Sequence, residues 1–393
     1  MGFMSISRVI RLPSRSFFLF GPRGTGKSTW LEESLKKIPI FNLLKTSTFL
    51  ELSKNPGLLE AKIGNLPVGS WVCIDEVQKV PQILDEVHRL IELKKWRFAL
   101  SGSSARKLKK ESANLLGGRA LTLHMEPFSY IELGKLFRLK EILEWGCLPL
   151  IVLNRQDARE ILRSYIFTYI KEEIKQEGLV RKVEPFLRFL EIAGILNGQQ
   201  VNAENIARDA HIPRSNVDVY FSILEDTLLG HWLPAYRPQA KVREVAHPKF
   251  YWFDFGVARG AAGFLDDPLD ELMLGVSLET YFFHELRVYN LGYKKNRSLF
   301  FYKNNNNQEI DFVIETKKRT MTTQSEVVLI EVKSSKKWDR KWENSMRSLA
   351  ETQKVKVRKM IGVYQGTESY FFDEVEVYPV EIFLKKLYAG DVY

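Results

Sequence analysis

A lysine and a hydroxyl at the end of a glycine-rich loop are the first residues in this chain equipped for phosphate chemistry. Gly21-Pro22-Arg23-Gly24-Thr25-Gly26-Lys27-Ser28 satisfies the pattern G-x-x-x-x-G-K-[ST] at each fixed position. Glycines let backbone N–H groups turn inward around an anion, and a helix that starts at the loop adds its positive end. Lys27 then reaches the β- and γ-phosphates of ATP, Ser28 holds Mg²⁺, and Thr29 follows in the first turn of the helix. Further on, Trp71-Val72-Cys73-Ile74 leads into Asp75-Glu76. An aspartate there suits the Mg²⁺ shell, and the next glutamate can orient or deprotonate the attacking water. Ser101 and Ser103, after another apolar run, are placed to sense the γ-phosphate; a polar turn at the strand end is the alternative. Arg119, beside Gly117 and Gly118, has the form of an arginine finger acting on a neighbouring subunit, which implies a homo-oligomer. A surface or phosphate contact is its other reading. Near the other end, Asp311 and then Glu331-Val332-Lys333 carry a second set of reactive groups, with Glu279 upstream.

These residues need particular elements behind them. Phe17-Phe18-Leu19-Phe20 and Val72-Cys73-Ile74 are continuous apolar runs, the pattern of parallel strands buried on both faces. Ligands of open α/β sheets sit beyond the carboxyl ends of such strands, so the two motifs converge. Ile40–Leu44 reads as a short strand, Thr48–Ala61 as helical, and Arg97–Leu100 as a third buried strand. Leu299–Tyr302, Gln308–Ile314 and Val327–Lys333 read as strands, with Asn304–Asn307 as a hairpin turn. Residues two apart on a strand share a face, so Glu331 and Lys333 point together and Asp311 meets them from the neighbouring strand. Glu279 falls in a helix ending near Leu286. Carboxylates so close form a hard oxygen site for a divalent metal, and Lys333 would stabilise developing negative charge.

Composition bounds the rest. At 393 residues the chain is long for one domain, and an apolar fraction of 45% supports real cores. A net charge of +10 favours an anionic partner. The two cysteines, Cys73 and Cys147, form no metal-binding pattern and fit a reducing compartment. No apolar run is long enough to cross a bilayer, and Met1–Phe20 lacks the layout of a signal peptide. A cytoplasmic protein without membrane contact is expected.

The runs Asp75-Glu76-Val77-Gln78-Lys79-Val80-Pro81, Leu100–Leu108, Leu115-Leu116-Gly117-Gly118-Arg119 and Glu126–Leu133 resemble the prokaryotic AAA-type ATPases that carry a C-terminal domain of unknown function, DUF4143. The resemblance extends over nearly the whole chain. It implies an AAA+ module, a winged-helix segment and a nuclease-like C-terminal domain. The Asp311, Glu331-x-Lys333 spacing, preceded by Glu279, resembles the PD-(D/E)xK nuclease core.

The middle of the chain is helical in pattern, broken at Trp145-Gly146-Cys147-Leu148-Pro149. The face formed by Ile161, Leu162, Tyr165, Ile166, Tyr169 and Ile170 reads as core. A helix over Phe186–Leu196, a second over Ala203–Ala210 capped by Asn202, and a third over Arg214–Leu229 make a helix-turn-helix pattern, with Trp232–Phe253 as its wing. Arg214 shares its helix with Asp218, Glu225 and Asp226, which suits DNA phosphates poorly; Lys241, Arg243 and Lys249 of the wing suit them better. The expected fold is therefore α/β. It has a P-loop AAA+ ATPase core over 1–133, a helical and winged-helix region over 134–245, and a restriction-endonuclease-like α/β domain over 246–393. The expected function is ATP hydrolysis driving the remodelling or processing of DNA, with metal-dependent cleavage as a further activity. The alternative is a nucleotide-switched signalling or interaction ATPase whose nuclease-like domain is a binding platform.

Overall fold

The computed structural model describes residues 6–103, 108, 116–170, 182–238, 247–304 and 308–393. Ser104–Lys107 and Leu115 of the sequence motifs, Lys241 and Arg243, the hairpin residues 305–307, and the side chains of Tyr169 and Ile170 on the apolar helical face lie outside what is described.

The first sheet contains β1 (Phe17–Phe20), β2 (Ile40–Asn42), β3 (Trp71–Asp75), β4 (Arg97–Gly102) and β5 (Leu121–His124). Their order is β2-β3-β4-β1-β5, and each pairing is parallel. Alternation distributes the apolar runs between two cores. Phe18, Phe20, Val72, Ile74, Phe98 and Leu100 pack on one face. Phe17, Leu19, Cys73 and Ala99 pack on the other, with Trp30 and Leu31. Both faces are covered, which is why these strands show no polar alternation. The helix Lys27–Ser34 begins inside the glycine loop. The expected helix over 48–61 is two helices, Thr46–Lys54 and Leu58–Ile63. Pro56 separates them, because it lacks an N–H and disfavours helical backbone in Asn55.

The middle region is helical, with Tyr130–Leu133, Leu139–Trp145, Pro149–Leu153 and Ala158–Ser164 followed by a π-helical turn over Tyr165–Ile170. Its break falls at Gly146, whose φ of 84° places it in the left-handed region. The Asp254 carboxylate stands where a side chain at this position would start. Helices Val183–Ile195, Ala203–Asp209 and Arg214–Asp226 come next. Asn202 caps the second by accepting from Glu204 N and Asn205 N. β6 (Gly230–Leu233) and β7 (Lys249–Trp252) form an antiparallel hairpin, and Gln200 bridges to Lys249. Phe186, Phe189, Tyr220, Phe221 and Phe250 join these pieces through edge-on and tilted ring contacts.

The C-terminal sheet contains β8 (Ser298–Lys303), β9 (Glu309–Lys317), β10 (Glu326–Lys333), β11 (Lys356–Tyr364), β12 (Tyr370–Phe372) and β13 (Val375–Pro379). Its order is β12-β13-β11-β10-β9-β8. The β8–β9–β10 part is antiparallel, whereas β10, β11 and β13 are parallel neighbours. The long helix Glu271–Gly292 and the helix Val380–Ala389 cover one face, through Phe282, Leu286, Phe383 and Leu387. The helix Asn344–Glu351 covers the other through Met346 and Leu349. The β6–β7 hairpin is fastened to this sheet: Tyr236 N donates to Phe301 O (2.6 Å), and Phe301 N donates to Pro234 O (3.1 Å). Among the described residues no helix is long and apolar enough to cross a membrane.

Candidate functional site

Gly24 and Gly26 have φ values of 82° and 90°. A side chain at either would be strained, so the glycines of the loop answer a backbone requirement. Lys27 is buried at the base, where its ammonium donates to Gly21 O (2.6 Å) and Pro22 O (3.0 Å). Thr25 Oγ1 donates to Pro22 O (2.8 Å). Arg23 and Thr29 are exposed, one on the loop and one in the first helical turn.

Strand register brings the metal-side groups to one carboxylate. Asp75 ends β3 opposite Asn42 of β2, and Ile74 pairs with Leu100 of β4, which brings Ser101 alongside Asp75. Ser28 Oγ donates to Asp75 Oδ2 at 3.0 Å, Asn42 Nδ2 lies 3.4 Å from the same oxygen, and Ser101 Oγ donates to Oδ1. Glu76 follows with φ 62° and ψ 43°, a left-handed conformation that turns its carboxylate away from the strand path. Gln78 Nε2 donates to Glu76 Oε2 (2.6 Å) and to Ser103 Oγ (3.2 Å). Gln78 Oε1 is buried and has no hydrogen-bond partner among the described residues. It lies 2.5 Å from where a Cβ on Gly102 would be, so only glycine fits there. Ser101 and Ser103 thus have different neighbours: one touches Asp75, the other reaches Glu76 through Gln78.

Sequence reasoning passed over four side chains. Gln78 sits two residues after Glu76, a spacing that was a usable signal. Asn42 lies on β2, Arg8 precedes the sheet, and Tyr165 is on the π-helical turn. Arg8 Nη1 donates to Thr25 O (2.8 Å), and its Nε pairs with Glu132 (2.9 Å). Tyr165 OH donates to Arg23 O (2.9 Å), so the middle region touches the tip of the phosphate loop. Arg119 is elsewhere. It precedes β5, whose first residue Leu121 pairs with Phe17 at the start of β1, so it stands at the amino ends of strands whose carboxyl ends carry Lys27 and Asp75. It is exposed and paired with Glu92.

The C-terminal residues also gather. Phe312 faces Ile330, which sets Asp311 beside Glu331. Lys333 Nζ is 2.5 Å from Glu331 Oε1 and 3.4 Å from Asp311 Oδ2, and Val332 N donates to Asp311 Oδ2 (2.7 Å). Glu279 enters from the long helix, where Lys249 Nζ is 2.8 Å from its Oε1, and Tyr251 OH donates to the same oxygen. Lys249 also reaches Glu309 Oε1 at 2.6 Å. Burial, reinforced by Asp311, pushes the Glu331 carboxyl up to about 8. Burial likewise raises Glu279. For Lys249 and Lys333 burial opposes the charge, but the surrounding carboxylates outweigh it, and both stay above the ordinary lysine value.

One expectation about the wing cations is corrected here. Lys249, read from the sequence as a wing cation for DNA, is 4% exposed and committed to Glu279 and Glu309. Hairpin pairing turns it toward the C-terminal sheet. Arg214 is held by Asp218 (2.6 Å) and Glu204 (3.2 Å).

The two sites differ as metal sites. Ser28 and Asp75 offer hard oxygens at the mouth of an anion-binding loop, a set suited to Mg²⁺ that phosphates and water complete. In the C-terminal cluster, Glu279, Asp311 and Glu331 already have ammonium partners. Among the described residues no three His, Cys, Asp or Glu side chains are disposed to hold a metal ion.

Comparison with known proteins matches three segments of the chain. Residues 13–134 match the family described as an AAA domain. Residues 136–267 match a domain of unknown function, DUF8612, and residues 274–383 match a second, DUF4143. An uncharacterized protein of Methanocaldococcus jannaschii is 25% identical over 61% of this chain, which spans 57% of that relative. An uncharacterized protein of Haemophilus influenzae is 24% identical over 52% of the chain and 56% of the relative. The chain therefore spans little more than half the length of these curated relatives. It carries an AAA domain at its amino-terminal end and a DUF4143 domain at its carboxyl-terminal end.

Proposed function

We infer that this chain binds and hydrolyses ATP, and that the ATPase works on nucleic acid through the middle and C-terminal regions. The observation that carries the ATPase reading is the convergence of Ser28, Asn42 and Ser101 on Asp75 beside Lys27. Lys27 exchanges main-chain carbonyls for phosphate oxygens and stabilises charge on them. Mg²⁺, when bound at Ser28 and Asp75, supplies further positive charge to the phosphates. Glu76 orients the attacking water, and Gln78 fixes Glu76 against Ser103. Arg119, exposed at the far end of the sheet, acts on a neighbouring subunit's ATP in a homo-oligomer.

The three helices and hairpin over 183–252 have the order of a winged helix, and the C-terminal sheet with Asp311, Glu331 and Lys333 has the pattern of a PD-(D/E)xK fold. Both, with the net charge of +10, support nucleic acid as the object. A second reading, the nucleotide-switched interaction ATPase, is favoured by one specific observation. Arg214, Lys249 and Lys333 are all engaged by carboxylates of the chain itself. The deciding experiment is ATP turnover with and without single-stranded, duplex and junction DNA. Stimulation by DNA supports the first reading, and turnover unaffected by any DNA supports the second. No turnover under any condition overturns the ATPase.

A further inference from the structure

The C-terminal cluster contains four carboxylates, Glu279, Glu309, Asp311 and Glu331, and three ammonium groups, Lys249, Lys303 and Lys333. Two of the ammonium groups belong to the sheet itself. Lys249 does not: it comes from β7, on the hairpin shared with the middle region. Its position is built rather than incidental. It is 4% exposed, lies 5.4 Å from the centre of the Phe301 ring, and bridges the long helix to β9. Tyr251, two residues along the same strand face, donates to the same Glu279 oxygen. The hairpin carrying both residues is hydrogen-bonded to β8 through Tyr236 and Phe301.

We propose that Lys249 is a built-in counter-ion of this cluster, standing in for the divalent cation that the nuclease-like residue pattern calls for, and that lysine ammonium groups rather than a metal ion supply the positive charge there. Carboxylates buried together require a cation, and a protein can supply either a metal ion or an ammonium group. Here Glu279 and Glu309 share one lysine, and Asp311 and Glu331 share another. A metal ion that takes Glu279 and Glu309 as ligands must displace Lys249 from both of them. The inference does not rest on the ATPase reading, since it concerns a site on a different sheet.

The test is Mn²⁺ binding to the 393-residue chain without nucleotide, followed by calorimetry and by the melting temperature. Dependence on Asp311 separates the cluster from binding at the phosphate loop. The wild type is expected to show no Mn²⁺ site that Asp311→Asn removes. Lys249→Met is expected to gain one, to melt a few degrees higher as Mn²⁺ is added, and to lose both effects in Lys249→Met/Asp311→Asn. Lys249→Arg keeps the charge and should behave as the wild type. An Asp311-dependent site in the wild type overturns the proposal, as does a folded Lys249→Met that gains none. If Lys249→Met folds only with Mn²⁺, that rescue supports it. If it folds under neither condition, Lys249→Met/Glu309→Gln removes one charge from each side, and failure of that folded variant to bind Mn²⁺ overturns the proposal.

Discussion

The phosphate loop and the C-terminal cluster each contain a buried lysine and a buried acid, but the lysines rest on different acceptors. Lys27 donates to the main-chain carbonyls of Gly21 and Pro22, and Asp75 is surrounded by the neutral donors Ser28, Asn42 and Ser101. Lys249 and Lys333 face carboxylates at 2.5–2.8 Å. A phosphate oxygen competes easily with a neutral carbonyl for an ammonium group. A ligand of the second site must instead displace a full opposite charge held in a low-dielectric setting. The same residue types thus make an open site at one end and a closed one at the other.

The largest effects should appear at the open site. Glu76→Gln is expected to slow turnover about 10²–10⁴-fold while ATP still binds, since Asp75 remains. Lys27→Ala should lose about 10²–10³-fold in turnover and weaken binding as well. Separate measurements of nucleotide affinity and turnover check both, and loss of affinity alone in Glu76→Gln would reverse the roles assigned to Asp75 and Glu76. At the closed site, Lys249→Met in metal-free buffer should lower stability by about 3–5 kcal/mol in denaturant unfolding, the cost of leaving buried carboxylates without their partner. A loss below about 1 kcal/mol would show that the cluster is as adaptable as the phosphate loop.

Glu285 sharpens the comparison because it is a buried carboxylate held by hydrogen bonds rather than by a lysine. Tyr130 N (2.7 Å) and Tyr388 OH (2.5 Å) donate to it. Burial pushes it up to about 7 from 4.5. The folded protein therefore holds this proton more tightly than the unfolded chain. The contribution to stability is present below pH 4.5 and is lost as pH rises through about 7. Glu285→Gln should match the wild type near pH 4 and exceed it by up to about 3 kcal/mol at pH 8, read from unfolding curves at each pH. A constant difference between the two proteins across pH would remove Glu285 as the titrating group. The smallest effect on stability belongs to Arg119→Ala, since its partner Glu92 is on the surface. Its melting temperature should be unchanged. Its turnover should fall, and mixing it with Lys27→Ala subunits should restore part of it. No restoration in the mixture counts against action in trans.

Much of the first site was legible because its chemistry is local in sequence. The glycine loop, Lys27 and Ser28 are contiguous, and Asp75-Glu76 directly follows a strand whose burial writes a continuous apolar run. Register then does the rest: Ser101 and Asn42 reach Asp75 because parallel neighbours align there. What the sequence hid are contacts between distant segments. Nothing near Lys249 signals that it faces Glu279 and Glu309, and its neighbourhood of aromatic residues reads equally as a wing. Arg8 and Tyr165 are likewise ordinary by type and acquire a role only when the loop is folded against them. β12, β13 and the helix Val380–Ala389 were not foreseen, because three- and five-residue strands carry too few positions for an alternation to stand out.

The position of β1 also sets an order of events during synthesis. Among the described residues it is the first strand in chain order, yet its neighbours are β4 and β5, which end at Gly102 and His124. At about 5–20 residues per second, the strand before the phosphate loop waits several seconds for a partner to leave the ribosome. Four consecutive aromatic and aliphatic residues, Phe17-Phe18-Leu19-Phe20, are exposed for that interval. A holding chaperone would shield them over that interval, and slowing translation between β1 and β4 should lower the yield of soluble protein more than slowing it after β5.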